Sequence, residues 1–164
     1  MFVKKSVNFS NNKILFRCDG ANISEIGTGH IYRCLTIARF LKNKFKLKYK
    51  NICFLVRSDS KYKIGLEILK KYKFKIIQKK NEILKLSSLS EFKYFYKNPS
   101  NLVIIDRMGK INRDLVKKLD KVSNKKIIID DSSLNRKYFD LSLNPMVQNI
   151  KKQKNSFIGY NKLY

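Results

Sequence analysis

Twelve acidic residues stand against 37 basic ones in this chain, which holds a single histidine, two prolines, six glycines and three cysteines. Each shortage excludes something. With so little Gly and Pro, no flexible linker divides the sequence, and 164 residues suit one folded unit. Three cysteines are an odd number without a CxxC pair. Cys18 and Cys53 fall in expected strands and Cys34 on an expected helix, so they read as buried, reduced thiols. No partners stand at metal-ligand spacing, so neither a metal nor a cofactor is expected. The leading "MFVKKSVNFSNNK" lacks an apolar signal core, and no apolar run approaches the ~20 residues that span a bilayer. The cytoplasm is the expected compartment. There is no internal repeat.

The formal charge of +25 first suggests a polyanionic partner. Thirty of the 37 basic residues are lysine, however, and they are scattered along the whole chain. Asn and Ile are abundant too, a bias that AT-rich coding supplies, so the charge reads as a solvated surface. Base-stacking platforms need aromatics interleaved with basic residues. Only "EFKYFYKN" has that look, and it fits an amphipathic helix equally well. Nucleic acid is not the expected partner.

What is present is an alternation. Short runs rich in Ile, Val and Phe occur at 13–19, 51–57, 74–78, 101–106 and 126–130. Near-continuous apolar strands of this kind belong in a sheet covered on both faces. Helix-like stretches lie between them, at 28–44, 61–72, 88–96 and 112–121. Strand and helix in regular order predict an α/β fold with a Rossmann-like, doubly wound parallel sheet. In such a sheet ligands gather beyond the carboxyl ends of the strands. That rule selects residues 17–30, 57–60, 106–109 and 130–135.

The first of these loops ends in "EIGTGHIYRCLTIARFL", residues 25–41. Gly27 and Gly29 permit a tight turn with close backbone approach, and Thr28 can cap the helix that follows. The helix N-terminus suits an anion. His30 sits at the positive end of the helix dipole, which disfavours the imidazolium and leaves a ring able to accept a proton. A neutral imidazole beside an anion site is what general-base activation of water requires. The plainer alternative is a histidine that packs or caps. Arg33, three residues on, can project toward the same mouth or lie solvated. Ile31, Leu35, Ala38 and Leu41 recur at helical spacing and form a core face. The segment lacks a full GxGxxG, and no acid closes the next strand, so a dinucleotide site is not expected. Asp19, Asp106 and the pair Asp130–Asp131 each follow an apolar strand, where they can accept from loop N–H groups or bind a sugar hydroxyl. Capping the next turn is the commoner use.

Taken in order, "FRCDG", "IGTGHIYRCLTIARFL", "LVIIDRMG", "IIIDDSSLNRKYFDLSLN" and "FIGYNKLY" resemble one enzyme group. It is the UDP-2,4-diacetamido-2,4,6-trideoxy-β-L-altropyranose hydrolase family of pseudaminic acid biosynthesis, with related spore-coat polysaccharide glycosyltransferase-like proteins. The resemblance covers roughly residues 13–164. It implies the N-terminal half of a glycosyltransferase-B fold. The implied division is a lead-in over 1–12, a sugar-side domain over 13–156, and the start of an interdomain linker over 157–164, the nucleotide-binding half lying elsewhere. The implied reaction is attack of water at the anomeric carbon of a UDP-linked diacetamido sugar, releasing UDP. The family's catalytic histidine falls on His30. Arg17, Asp19, Gly27, Gly29, Asp106, Asp130, Asp131 and Asn144 match the family's motifs, and with Thr28 and Arg33 from the reading above they are the candidate substrate-binding residues. Arg107-Met108-Gly109 stands where the family often has His-Tyr-Gly, and the loop from Gly20 to Glu25 is about two residues longer. The nucleotide-binding half belongs either to a longer form of this chain or to a separate polypeptide, which would then be its partner beside the UDP-linked sugar. Two other readings remain open: a glycosyltransferase-like relative in surface polysaccharide synthesis, and a non-catalytic basic α/β binding domain.

Overall fold

A computed structural model of the chain describes residues 12–23, 26–79, 91–107, 111–129, 134–144 and 156–158. The apolar runs fold as strands: β1 (Ile14–Cys18), β2 (Ile52–Arg57), β3 (Lys75–Lys79), β4 (Ser100–Asp106) and β5 (Ser123–Ile129). Two more follow, β6 (Leu141–Asn144) and β7 (Ser156–Ile158). They form one parallel sheet in the order β3-β2-β1-β4-β5-β6-β7. All of β1 and the first five residues of β2 are buried, as a strand covered on both faces requires.

Helices α1 (Gly29–Lys44) and α2 (Lys63–Lys70) cover one face, and α3 (Phe92–Lys97) and α4 (Arg113–Leu119) the other. On the first face Ile31, Cys34, Leu35 and Ala38 of α1 pack on Phe16, Cys18 and Ile104. On the second, Phe95 of α3 and Leu115, Val116 and Leu119 of α4 pack on Leu15, Val103 and Ile105. Alternation along each strand therefore sorts its side chains between two cores. The chain winds outward from β1 to β3, then returns to place β4 against β1. Cys18 of β1 lies level with Asp106 of β4. Their shared carboxyl end is the topological switch point of the sheet.

The doubly wound α/β fold expected from the sequence is the fold observed. Differences lie at the ends of elements. A 3₁₀ turn, Ser60–Tyr62, precedes α2, which stops at Lys70 rather than Tyr72. Helix α4 starts after Asn112, whose side chain accepts from the Asp114 N–H at 2.7 Å. β5 begins three residues before the expected Lys126. Lys126 is buried there, with its ammonium paired to Asp120, so a polar start is tolerated within the strand. β6 and β7 were not anticipated, and the boundary placed at 156/157 falls inside β7. Among the described residues no helix is long and apolar enough to cross a membrane.

One contact fixes α2 against the turn after β1. A Cβ built on Gly65 would meet the Gly20 carbonyl oxygen at 2.7 Å and its Cα at 3.0 Å. Alanine in mid-helix ordinarily gains about 1 kcal/mol over glycine. Here the atoms met are backbone, and overpacking of this kind costs about 1–3 kcal/mol. Gly65→Ala is therefore expected to lower the urea midpoint, whereas Gly29→Ala, whose Cβ meets nothing within 4 Å, should leave it nearly unchanged.

Candidate functional site

Asp106, the last residue of β4, points to the α1 face and has no exposed surface. Helical spacing places His30 and Arg33 side by side in the first turns of α1, directly above it. His30 Nδ1 lies 2.6 Å from Asp106 Oδ1. Arg33 donates to both carboxylate oxygens, Nε to Oδ2 and Nη2 to Oδ1, each at 2.7 Å. Cys34 Sγ adds a weak contact to Oδ2 at 3.7 Å. The hydrogen bonds assign the tautomer. Nδ1 carries the proton and donates to Asp106, so Nε2 is left as the ring's acceptor. The Arg33 Nη2 that stands 3.2 Å from Nδ1 is a second donor serving the same carboxylate. The His30 side chain is 13% exposed, so its ring is held by the protein yet open to a ligand.

The loop before α1 is closed on itself by a hydrogen bond from the Ala21 N–H to the Gly27 carbonyl at 2.8 Å. Gly27 has φ +58, a left-handed conformation that favours glycine. Gly29 has no such constraint and faces open space, which leaves room for a ligand above the helix end. Thr28 occupies the N-cap position, but its side chain makes no capping bond. Its carbonyl accepts from Ile31 and Tyr32 instead. The sequence expectation of a hydroxyl cap is corrected on that point, because the Thr28 backbone lies near φ −106, ψ 0 rather than in the extended region usual for capping.

A second network occupies the other face of the same strand ends. Arg17, fully buried in β1, donates through Nη1 and Nη2 to the two oxygens of Asp19 at 2.6 and 2.7 Å. Its Nε donates to Glu91 Oε1, and Nη1 also reaches the Cys18 carbonyl at 3.0 Å. Arg107 Nη2 donates to the other Glu91 oxygen at 2.6 Å. Asp19 accepts further from the Arg57 backbone N–H at 3.0 Å, which ties the end of β1 to the end of β2. Burial alone pushes the Asp19 carboxyl up, but the Arg17 guanidinium outweighs it and holds Asp19 below its usual range. Arg17 is shifted in the stabilised direction: its burial penalty is exceeded by the two carboxylates. Arg107 is pushed down to about 9, first by burial and next by the charge of Arg17, and remains charged at neutral pH. Arg17 and Asp19 thus brace the floor of the site, with their hydrogen-bonding groups directed at each other.

The remaining candidates divide. Asn144 ends β6 on the same edge of the sheet, buried, with Nδ2 donating to Ser142 Oγ at 3.1 Å. Its Oδ1 has no partner among the described residues. Asp130 and Asp131 lie outside the described residues. Cys18, Cys34 and Cys53 are all reduced and buried. Burial raises the Cys34 thiol and pushes Cys53 up to about 11, so neither offers a reactive thiolate. Among the described residues no group of His, Cys, Asp or Glu is arranged to hold a metal ion. Sequence reasoning passed over Glu91 and read Arg107 only as a departure from the family's His-Tyr-Gly. The available signal was Arg17 itself, since an arginine inside an apolar strand demands a buried acid somewhere.

Two outcomes follow from these bonds. Long-range ¹⁵N NMR of neutral His30 should show the Nδ1–H form in the wild type, with Asp106→Asn shifting the ring toward the Nε2–H form. Asp19 has a folded-state pKa below its unfolded value of about 3.9. Its contribution to stability is therefore complete above that value and lost as pH falls through the folded one. Asp19→Asn should flatten the acid limb of stability below about pH 4 and cost several kcal/mol at neutral pH, because it strands a buried charge.

No family model and no solved structure matches the chain. It is 31% identical over 156 residues to an uncharacterized protein of Methanocaldococcus jannaschii, an alignment covering 92% of this chain. The chain spans 28% of that relative's length.

Proposed function

We propose that this chain is the sugar-side, base-bearing part of a nucleotide-sugar hydrolase of glycosyltransferase-B architecture. It would release UDP from a UDP-linked 2,4-diacetamido-2,4,6-trideoxy hexose on the route to pseudaminic acid, in the cytoplasm. The observation that carries the reading is the Asp106–His30 pair, held by Arg33 at the switch point of the sheet. Asp106 fixes the tautomer, so Nε2 accepts a proton from water while the water oxygen bonds to the anomeric carbon. The bond from that carbon to the diphosphate oxygen breaks, and UDP leaves with the electron pair. The open helix end above Gly29 is suited to the departing or bound diphosphate. Arg33 is committed to Asp106, so its part is to neutralise and orient the carboxylate. Arg17, Asp19, Glu91 and Arg107 hold the strand ends level beneath. Asn144, with a buried carbonyl oxygen at the same edge, is a candidate for an acetamido N–H. Uracil recognition is assigned to a further domain or a second polypeptide.

The test is UDP release from the diacetamido sugar nucleotide, run on the chain joined with its nucleotide-binding half. His30→Ala should lower kcat about a hundred- to ten-thousand-fold, the usual contribution of a general base. Asp106→Asn should fall in the same range through the wrong tautomer, with KM little changed. In ¹⁸O-labelled water the label should enter the sugar. Label found in UDP would mean attack at phosphorus, and a fully active His30→Ala would return that ring to a packing role.

A further inference from the structure

The sheet has a second end. Because every strand pairing is parallel, the residues that precede the strands converge on the edge opposite His30. Lys13, Lys50, Lys73, Lys97 and Lys121 stand one to three residues ahead of β1 to β5 in turn, and all five are exposed. None is in an ion pair among the described residues. The acids at this edge, Asp120 and Asp140, are already taken by Lys126 and Lys125. At this edge lies a largely apolar cavity of about 320 Å³, lined by Ile14, Leu41, Phe45, Leu47 and Leu102 together with three asparagines and Lys125.

We propose that this edge docks on an anionic phospholipid bilayer, the lysines meeting headgroup phosphates and the cavity taking acyl-chain surface. The inference is independent of the hydrolase reading. Lysines at a bilayer surface each add a modest attraction that sums over the cluster. The apolar cavity favours a bilayer over nucleic acid, because a phosphodiester backbone would use the lysines and leave the cavity empty. Two exposed rings stand near these lysines and each has a ring neighbour: Tyr49 carries Lys42 at 4.5 Å from its ring centre and packs on Phe74, and Tyr96, beside Lys97, lies 6.1 Å from the Phe92 ring. Docking here leaves the His30 end facing the aqueous side.

The experiment is co-sedimentation with phosphatidylcholine vesicles, with and without phosphatidylglycerol. Binding is expected only to the anionic vesicles and should weaken as salt rises. The surface variant Lys13→Glu/Lys97→Glu/Lys121→Glu should reduce it about a hundred-fold or more, since each lysine contributes roughly fivefold before reversal. The chain has no tryptophan. Leu41→Trp therefore gives a lone reporter in the cavity, expected to shift to the blue with anionic vesicles and to be quenched by brominated lipid. Equal binding to neutral vesicles, no binding to either, or a triple variant that binds like the wild type would overturn the proposal. So would indole fluorescence of the Leu41→Trp variant that ignores lipid while duplex DNA displaces the protein from the vesicles; that result would make the edge a nucleic-acid surface.

Discussion

The carboxylate of Asp106 has no exposed surface, and an isolated ion so placed would cost on the order of tens of kcal/mol in a dry medium. Arg33 meets it with two hydrogen bonds and His30 with a third. That requirement propagates outward. Arg33 and His30 can reach Asp106 together only if the first turns of α1 lie over the end of β4, and they can do so only if β4 sits beside β1. The strand order that creates the switch point and the hydrogen bonds that make the site are thus one constraint seen at two scales. A chain that paired its strands differently would strand a buried charge.

The opposite face repeats the logic with different parts. Arg17 and Arg107 balance Asp19 and Glu91, two charges against two, in a cluster almost wholly removed from water. Such clusters add little net stability over apolar packing, because desolvation consumes most of the Coulomb attraction. Their value is geometric. An arginine fork satisfied on several edges has few alternative positions, so the ends of β1, β2 and β4 are locked at one level. His30 then operates from a rigid base, and a proton acceptor displaced by even about 1 Å loses much of its effect. The period-two alternation of a strand puts the two networks on different faces from neighbouring residues: Arg17 and Arg107 on one side, Asp106 on the other.

Much of this was legible beforehand, and the pattern of what was not is informative. β1 to β5 announced themselves as apolar runs because a parallel sheet buries both faces of each strand. α1 was read to within one residue, from the glycine-flanked turn and its apolar face. β6 carries alternating burial in only four residues and sits toward the sheet's edge, so its signal is weak, and β7 has three residues. Among site residues, His30, Arg33 and Asp106 were each nominated, but the contact of His30 with Asp106 spans 76 residues of sequence and no local pattern encodes it. Glu91 was hidden at the head of a segment that reads as an ordinary amphipathic helix. Sequence periodicity reports which face is buried. It is silent on which buried acid answers which buried base.

A compositional clue was available all the same. Lysine outnumbers arginine thirty to seven here, which marks most positive charge as interchangeable surface. Four of those seven arginines, at 17, 33, 57 and 107, are paired with carboxylates at the site end of the sheet. The chemistry explains the division. A guanidinium is weakly hydrated and planar, and it offers donors in a fixed fork that matches a carboxylate. An ammonium is strongly hydrated and suits a surface open to water. In a chain whose composition leans so far toward lysine, positions that hold arginine are those where fork geometry or burial matters. The same division explains why the two ends of the sheet differ. At the site end the acids are neutralised internally by arginine. At the far end the lysines that lead into the strands pair with no acid among the described residues, so their share of the +25 stays turned to the outside.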